Sequence, residues 1–284
     1  MRFGVNIPAF DQLSNPKEIA RLARMAEDSG WNGFFIWDDL IRDNGPCGDT
    51  TVCLAAIAMS TTKISFGPMV IALPRRHPWK VAREAVSLDI LSDGRLILGI
   101  GLGDPPESYE RLGQIGDIKY RARWTDEALR VIELLWRGEE TNFRGEYLRV
   151  DGVRFTPVPI QKPRIPIWIG GWWPNKGPMR RAAKWDGAIP GKWEQILSPQ
   201  EAAEIRDFIA SNRADSTSFD LAVSGITPHD DHNKAAEIVR PYIEVGVTWW
   251  IEDLGPTRFG TSWEIKPEQI TEIEARIVAG PPRI

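Results

Sequence analysis

Leu91-Ser92-Asp93-Gly94-Arg95-Leu96-Ile97-Leu98-Gly99-Ile100-Gly101-Leu102-Gly103-Asp104 is the stretch on which the reading of this chain turns. A helical pattern runs into it, Ser92-Asp93-Gly94 turns the chain, and Leu96 to Ile100 is an apolar run of the kind a strand buried on both faces requires. That is helix, turn and parallel strand. Gly99, Gly101 and Gly103 then leave backbone bare where a ligand could lie close, and Asp104 sets a carboxylate at the strand's C-terminal mouth. A dinucleotide fingerprint would need Gly-x-Gly-x-x-Gly to open directly into a helix, whereas Asp104-Pro105-Pro106 follows here and Pro106 disfavours helical geometry at Pro105. The competing explanation is steric: the glycines relieve crowding inside a barrel.

Working outward, the same unit recurs. Arg2 to Ile7 and Gly33 to Trp37 read as strands before that stretch, as does Ile64 to Ile71, with helices from Pro16, Thr51 and Trp79 between and after them. Beyond it come a helix from about Arg121 to Arg137 and strands at Ile165 to Ile169, Asp186 to Ile189, Phe219 to Ile226 and Val247 to Ile251, with helices interleaved and a last helix from Pro267 to about Val278. The segment 139–164 breaks the alternation. Tyr147 to Val150 and Val153 to Phe155 flank Asp151-Gly152, a two-residue hairpin signal, so it is expected to be an insertion carrying a β-hairpin after the fourth unit. Eight alternations with buried apolar strands imply a parallel sheet closed on itself, because an open sheet would leave two edges to protect. The expected fold is therefore an α/β (β/α)8 TIM barrel occupying residues 1–284 as one domain, a length that suits a barrel of about 250 residues plus an insertion.

Hydrophobic residues at 42% and charged residues at 26% are globular values, and no apolar run approaches the roughly 18 residues a membrane span needs. No basic, apolar leader opens the chain, and two cysteines, Cys47 and Cys53, fit a reducing cytoplasm. A net charge of -4 without a basic block argues against nucleic acid as a partner.

Barrel enzymes build their sites just past the strands, so the useful inventory is Asn6, Asp38, Asp39, Arg75, Arg76, His77, Asp104, Glu107, Trp172, Trp173, Lys192, Glu252 and Asp253. No metal site is expected, since of His77, His229 and His232 only the first has carboxylates near it in the pattern. No serine or cysteine sits in a nucleophile elbow either. A flat aromatic cofactor fits better: glycine-lined strand ends admit a planar ring, and among thirteen tryptophans Trp37, Trp168, Trp172, Trp173, Trp249 and Trp250 crowd the second, fifth and eighth strands. For any single tryptophan, packing is the simpler explanation.

Leu91-Ser92-Asp93-Gly94-Arg95 followed by Leu98-Gly99-Ile100-Gly101-Leu102-Gly103 resembles the signature of the bacterial luciferase-like superfamily of flavin-dependent and deazaflavin-dependent oxidoreductases. Ala26-Glu27 through Trp37-Asp38, Pro78 through Glu84, Leu135-Trp136, Phe143 to Val150, Pro166 through Gly171 and Ala182 through Gly187 match in the same order, and the resemblance fades after about Gly191. It implies a barrel that binds the deazaflavin coenzyme F420, or alternatively FMN, at its C-terminal mouth. In the deazaflavin branch, which the glycine and bulge segments resemble more closely, a bulge in the third strand backs the ring, and Met69-Val70-Ile71 occupies that place. The resemblance likewise puts Asp38 at the end of the second strand, Asp104 after the fourth, Glu107 on a ring contact, Gly170-Gly171-Trp172 beside the cofactor and Lys192 on a phosphate. The branch usually reads Asp-His where this chain reads Asp38-Asp39.

The functional expectation is an oxidoreductase that transfers a hydride between F420 and a small organic substrate. The alternatives are an FMN-dependent monooxygenase supplied by a separate reductase, and a non-catalytic flavin-binding protein. Asp39 is expected to replace the histidine in proton transfer, with Asp104 and Glu107 beside it and its pKa raised by neighbouring carboxylates and desolvation; its plain role would be to cap a turn. Arg75 is a candidate for a cofactor phosphate or acidic tail, against a solvated turn. Gly67-Pro68 interrupts the third strand, so a bulge around Met69 to Ile71 is expected, and the resemblance implies a cis bond there, between Met69 and Val70. The resemblance, and nothing else, points to a homodimer.

Overall fold

The computed structural model describes residues 1–42, 45–193, 195–214, 217–260 and 263–284. Its parallel strands are β1 (Arg2–Ile7), β2 (Gly33–Ile36), β3 (Ser65–Pro68), β4 (Ile71–Ala72) and β5 (Leu98–Gly101), then β8 (Ile167–Trp172), β9 (Gly187–Gly191), β10 (Asp220–Gly225) and β11 (Trp249–Asp253). They lie in the order β3-β2-β1-β11-β10-β9-β8-β5-β4. β3 and β4 are two halves of one interrupted strand, and a parallel bridge between Phe66 and Leu96 joins the first half to the strand after it, so the sheet closes into the expected barrel. The helices α1 (Pro16–Asp28), α2 (Thr50–Ser60), α3 (Pro78–Leu91), α4 (Glu107–Glu110), α5 (Ile118–Trp136), α6 (Lys176–Ala182), α7 (Pro199–Asn212), α8 (His232–Glu244) and α9 (Pro267–Val278) complete the units. Asp49, Asp117 and Ser198 cap α2, α5 and α7 by accepting hydrogen bonds from backbone N–H groups of the first turn.

Alternation along each strand sorts side chains into two cores. Val5, Ile7, Phe34, Ile36, Leu98, Ile100, Ile167, Val223 and Trp250 face the helices, while Phe35, Met69, Ile97, Trp168, Ile189, Ala222, Trp249 and Ile251 fill the barrel. The barrel plug is aromatic. Trp168 and Trp249 stand edge to face with centroids 5.3 Å apart, and Phe35 lies 5.7 and 5.9 Å from them. These tryptophans therefore pack, as does Trp250 outside the sheet. The quoted stretch closes the opposite, N-terminal end. Asp93 and Gly94 turn with positive φ, and Arg95 donates to the carbonyls of Ala58, Thr61, Ile64 and Ser92 and to the Thr61 hydroxyl.

The third strand departs from alternation. Met69 and Val70, joined by a cis peptide bond as expected, both lie on the inner side, after which Ile71 packs outward and Ala72 faces inward. One extra residue thus sits in this strand.

The antiparallel ribbon, β6 (Glu140–Arg144) and β7 (Arg149–Arg154), is present between α5 and β8, but its turn is not at Asp151-Gly152. Strand β7 runs straight through that dipeptide. Asn142 alone faces Asp151 and Gly152, its side-chain oxygen accepting from the Gly152 N–H at 2.9 Å, so the Asp-Gly signal marks a bulge. The actual turn, Gly145 to Leu148, is organised by a distant group: the Glu127 carboxylate of α5 accepts from the backbone N–H groups of Glu146, Tyr147 and Leu148 at 2.6, 3.0 and 3.0 Å.

Candidate active site

At the C-terminal mouth of the barrel lies a cleft of about 1130 Å³. Its floor begins with the extra residue. A Cβ on Gly101 would stand 2.4 Å from Val70 Cγ2 and one on Gly170 3.0 Å from Val70 Cγ1, whereas one on Gly99 would strike the Pro68 carbonyl oxygen at 2.1 Å and only then meet Val70 Cγ1 at 3.2 Å. The glycines of β5 and β8 thus form a socket for Val70, and both sequence explanations hold in part: they relieve crowding, and what they make room for is the side chain that surfaces the cleft. Gly103, with φ of 73°, leaves room for the Tyr109 hydroxyl and the Ala72 methyl, and Gly171 for Pro178. Tyr109 is itself held between two guanidinium groups, Arg75 at 4.4 Å and Arg121 at 4.3 Å from its ring centre.

Met69, Val70, Gly101, Gly103, Gly170, Gly171, Trp172, Arg75 and Lys192 all line the cleft, as do Asp38, Asp39 and Asp104. Two expected residues do not. Ile71 is buried in the outer core, because the bulge absorbs one residue and returns the strand to alternation there; Ala72 takes its place. Glu107 begins the short helix α4 on an exposed face and is not part of the cleft wall, because Pro105, Ser108 and Leu112, spaced at helical intervals, present the face that lines it. Asp104 is exposed at the rim, and neither it nor Glu107 contributes to the charge environment of Asp39.

The adjacent carboxylates of the second strand are unlike. Asp38 accepts from the Thr50 hydroxyl at 2.7 Å, the Ala72 N–H at 3.0 Å and Arg76 at 2.6 Å, so it ties the strand-two loop to β4 and has little capacity left for a ligand. Asp39 has a buried Oδ2 without a hydrogen-bond partner. Burial pushes its carboxyl above the usual range; Arg42 and Arg75 oppose this and Asp38 adds to it. The direction matches expectation, with burial rather than like charge as the leading cause. Burial also raises the neighbouring Cys47 thiol to about 11, with Asp39 contributing, so that thiol stays protonated.

Two further polar groups complete the floor. Asn6 and Asp253 are register partners on β1 and β11, both on the inner face of the sheet, and Asn6 Oδ1 is buried without a partner. Asp253 accepts from the Gly255 N–H at 2.8 Å, and burial lifts its pKa to about 6, with Glu252 adding and Arg258 opposing. Asn6 and Asp253 stood in the inventory of strand ends without being singled out; the signal was parity, since 249, 251 and 253 share the inner face. Of the basic loop, Arg76 is engaged by Asp38, exposed His77 stacks on Trp79, and Arg75 alone faces the cleft, donating to the Ser108 hydroxyl with its Nε unpartnered. Lys192 donates to Glu201 at 2.8 Å, which leaves it further N–H groups. Among the described residues no group of histidine, cysteine or carboxylate side chains is placed to hold a metal, and no helix is long and apolar enough to cross a membrane.

A luciferase-like monooxygenase family model matches residues 1–275. The chain belongs to that family. An uncharacterized protein of Mycobacterium tuberculosis is 32% identical over 189 residues, covering 60% of this chain and 64% of the relative's length. The F420-dependent glucose-6-phosphate dehydrogenase of Nakamurella multipartita is 28% identical over 294 residues, covering 96% of this chain and 76% of that one. The fold is shared with the coenzyme F420-dependent tetrahydromethanopterin reductase of Methanopyrus kandleri, at a TM-score of 0.74, 18% identity and 98% coverage of each chain. F420-dependent oxidoreductases and flavin-dependent monooxygenases both occur among the relatives.

A ring cofactor fits what this cleft offers. Val70 in its socket presents an apolar floor, the volume accommodates a large ligand, and Asn6 Oδ1, Asp39 Oδ2 and Arg75 Nε are buried polar atoms without internal partners.

Proposed function

We propose that this chain transfers a hydride between the deazaflavin coenzyme F420 and a small organic substrate, with Asp39 handling the accompanying proton. The observation that carries the reading is the juxtaposition in one cleft of the Val70 floor and a buried, unpartnered carboxyl whose neutral form burial favours. A relative matched along nearly the whole chain is an F420-dependent enzyme, which supports this cofactor over FMN.

When bound, the coenzyme supplies or accepts the hydride. The residues of the chain do the rest. Met69, Val70 and the backbone at Gly101, Gly103, Gly170 and Gly171 form the surface against which a ring would lie, while Arg75 and Lys192 are the cations for an anionic tail. Reduction of a carbonyl balances when its carbon gains the hydride and its oxygen takes the Asp39 proton; oxidation of an alcohol returns that proton to the Asp39 carboxylate. Arg42 and Arg75 limit how far Asp39 rises, so that it can both give and take a proton.

Equilibrium titration with F420 and FMN tests the assignment. Micromolar binding of F420 is expected, and binding of FMN with none of F420 would overturn it. Gly101→Ala should weaken F420 binding about tenfold, because the new methyl drives Val70 out of its socket at a cost of about 1–3 kcal/mol. Val70→Ala in the same chain should recover part of the loss. If a bound, reduced coenzyme is oxidised by enones, aldehydes and ketones no faster than free coenzyme, the chain binds without catalysing.

A further inference from the structure

The cleft has an unusual rim. Trp172, Trp193 and Trp263 all line it while 42, 51 and 53% exposed, and they are arranged in series, Trp193 lying 5.6 Å from Trp172 and 6.0 Å from Trp263 between ring centroids. Trp263 leans in turn on Trp37 at 5.8 Å, which stands against buried Phe10 at 5.9 Å. The row is thus anchored at one end in the core and open to the cleft along its length. Three half-exposed indoles side by side leave a large apolar area in water, a feature that marks a binding surface rather than packing.

The row runs from Trp172 at the end of β8, beside the socket, to Trp193 and Trp263 across the cleft. Val70 and its glycine socket lie on the β4, β5 and β8 side. Trp37 directly follows β2, Trp193 stands two residues past β9, Trp263 lies in the loop ten residues past β11, and exposed Leu40 and Ile41 extend the row beyond β2. This second side also carries the floor groups Asn6, Asp39 and Asp253. Of the cations on this side, Arg42 is ion-paired with Asp11 at 3.7 Å and bonded to the Trp263 carbonyl, and Lys192 beside Trp193 is paired with Glu201 at 2.8 Å and, on the proposed function, taken by the coenzyme's anionic tail, so a phosphorylated substrate would meet chiefly indoles and carboxyls there. A planar, neutral ring would meet π faces, and a carbonyl or hydroxyl on it would reach the acids below.

We infer that the substrate of this site is a neutral molecule with a planar aromatic body bearing a carbonyl or hydroxyl group, held against Trp193 and Trp263, and not a sugar phosphate. This rests on the oxidoreductase reading for what happens to that group, though not for its binding.

The test is calorimetric titration of the whole protein, without cofactor and with F420, using 2-acetonaphthone, cyclohexyl methyl ketone and glucose 6-phosphate as probes. The naphthyl ketone should bind at least tenfold more tightly than either of the others. Trp193→Leu and Trp263→Leu keep apolar bulk on exposed positions but remove the π face, and each should weaken the naphthyl ketone roughly three- to tenfold, as loss of an aromatic pair does. The cyclohexyl ketone should be unaffected. Glucose 6-phosphate binding as tightly as the naphthyl ketone, or leucine variants that bind the naphthyl ketone like the parent, would overturn the inference. If the naphthyl ketone behaves as expected while F420 fails to bind, the cofactor assignment falls and the substrate inference stands.

Discussion

At the end of β2 two acids stand side by side, Asp38 and Asp39, and at the end of β11 so do Glu252 and Asp253. In each pair one carboxylate is saturated with donors and the other is left to the cleft. Glu252, fully buried, accepts from the Thr227 N–H and hydroxyl at 2.8 Å each, from Trp250 at 3.2 Å, and from Arg258 and Arg276 at 3.0 and 3.3 Å. Asp253, one residue on, has the Gly255 N–H and a pKa lifted to about 6. For Glu252 and Asp253 the pleat makes the difference, since neighbours in β11 face opposite sides, the helix layer and the mouth of the barrel. Asp38 and Asp39 lie past the end of β2 and both line the cleft, and they differ because Thr50, Ala72 and Arg76 converge on Asp38 alone. Adjacent residues of like chemistry thus differ in whether the fold occupies them or leaves them to the cleft.

Substitution at each of the four positions can break this contrast. The largest effect is expected at Asp39: Asp39→Asn should lower turnover by about 10²–10⁴-fold, the usual contribution of a positioned acid, with little change in unfolding midpoint. Because the acid form of a group with a raised pKa is the one that donates, carbonyl reduction by the parent should slow as pH climbs through that pKa, and the Asn variant should lose this dependence. Parent-like turnover by Asp39→Asn at every pH would move the proton to Asp253.

Next comes Glu252→Gln, which leaves Arg276 buried without its counter-charge and Arg258 with Glu272 alone, and should cost about 3–5 kcal/mol in urea unfolding. Asp253→Asn should do the reverse. The folded state holds this carboxyl at about 6 against an ordinary 3.8, so folding favours its protonated form; the resulting penalty is absent below about pH 4 and complete above about pH 6. The variant should gain up to roughly 3 kcal/mol over the parent at pH 7.5 and much less at pH 4.5. Smallest is Asp38→Asn, expected to destabilise by about 1–3 kcal/mol through weakened bonds to Arg76 and the Ala72 N–H, with F420 affinity nearly intact. A stability loss at Asp253 larger than that at Glu252 would remove the contrast.

The barrel was legible because a strand buried on both faces needs a continuous apolar run, and Leu96 to Ile100, Ile165 to Ile169 and Val247 to Ile251 supply it. Much of the site was legible as well, since its residues follow those runs directly. What escaped depends on distance. The Glu127 carboxylate that builds the Gly145 to Leu148 turn lies a helix away, so local reading favoured Asp151-Gly152. Whether Ile71 faces in or out depends on where the extra residue of the third strand falls. Trp193 and Trp263 sit in irregular loops without periodicity, where a tryptophan among polar residues was the available signal. Asp253 lay in the inventory, but only the barrel's closure beside Asn6 shows that it meets Asp39's cleft.

The surplus residue in the third strand makes the working surface of this barrel a matter of counting. Val70 is one residue more than a regular strand would contain, and Gly101 and Gly170 on two other strands leave the room it occupies. A chain shortened by that single residue would keep every apolar run, cap and plug of the barrel, and would regain unbroken alternation from Ser65 to Ala72. It would also lose the floor of its cleft. Between this cleft and a barrel mouth without a floor there stands one codon.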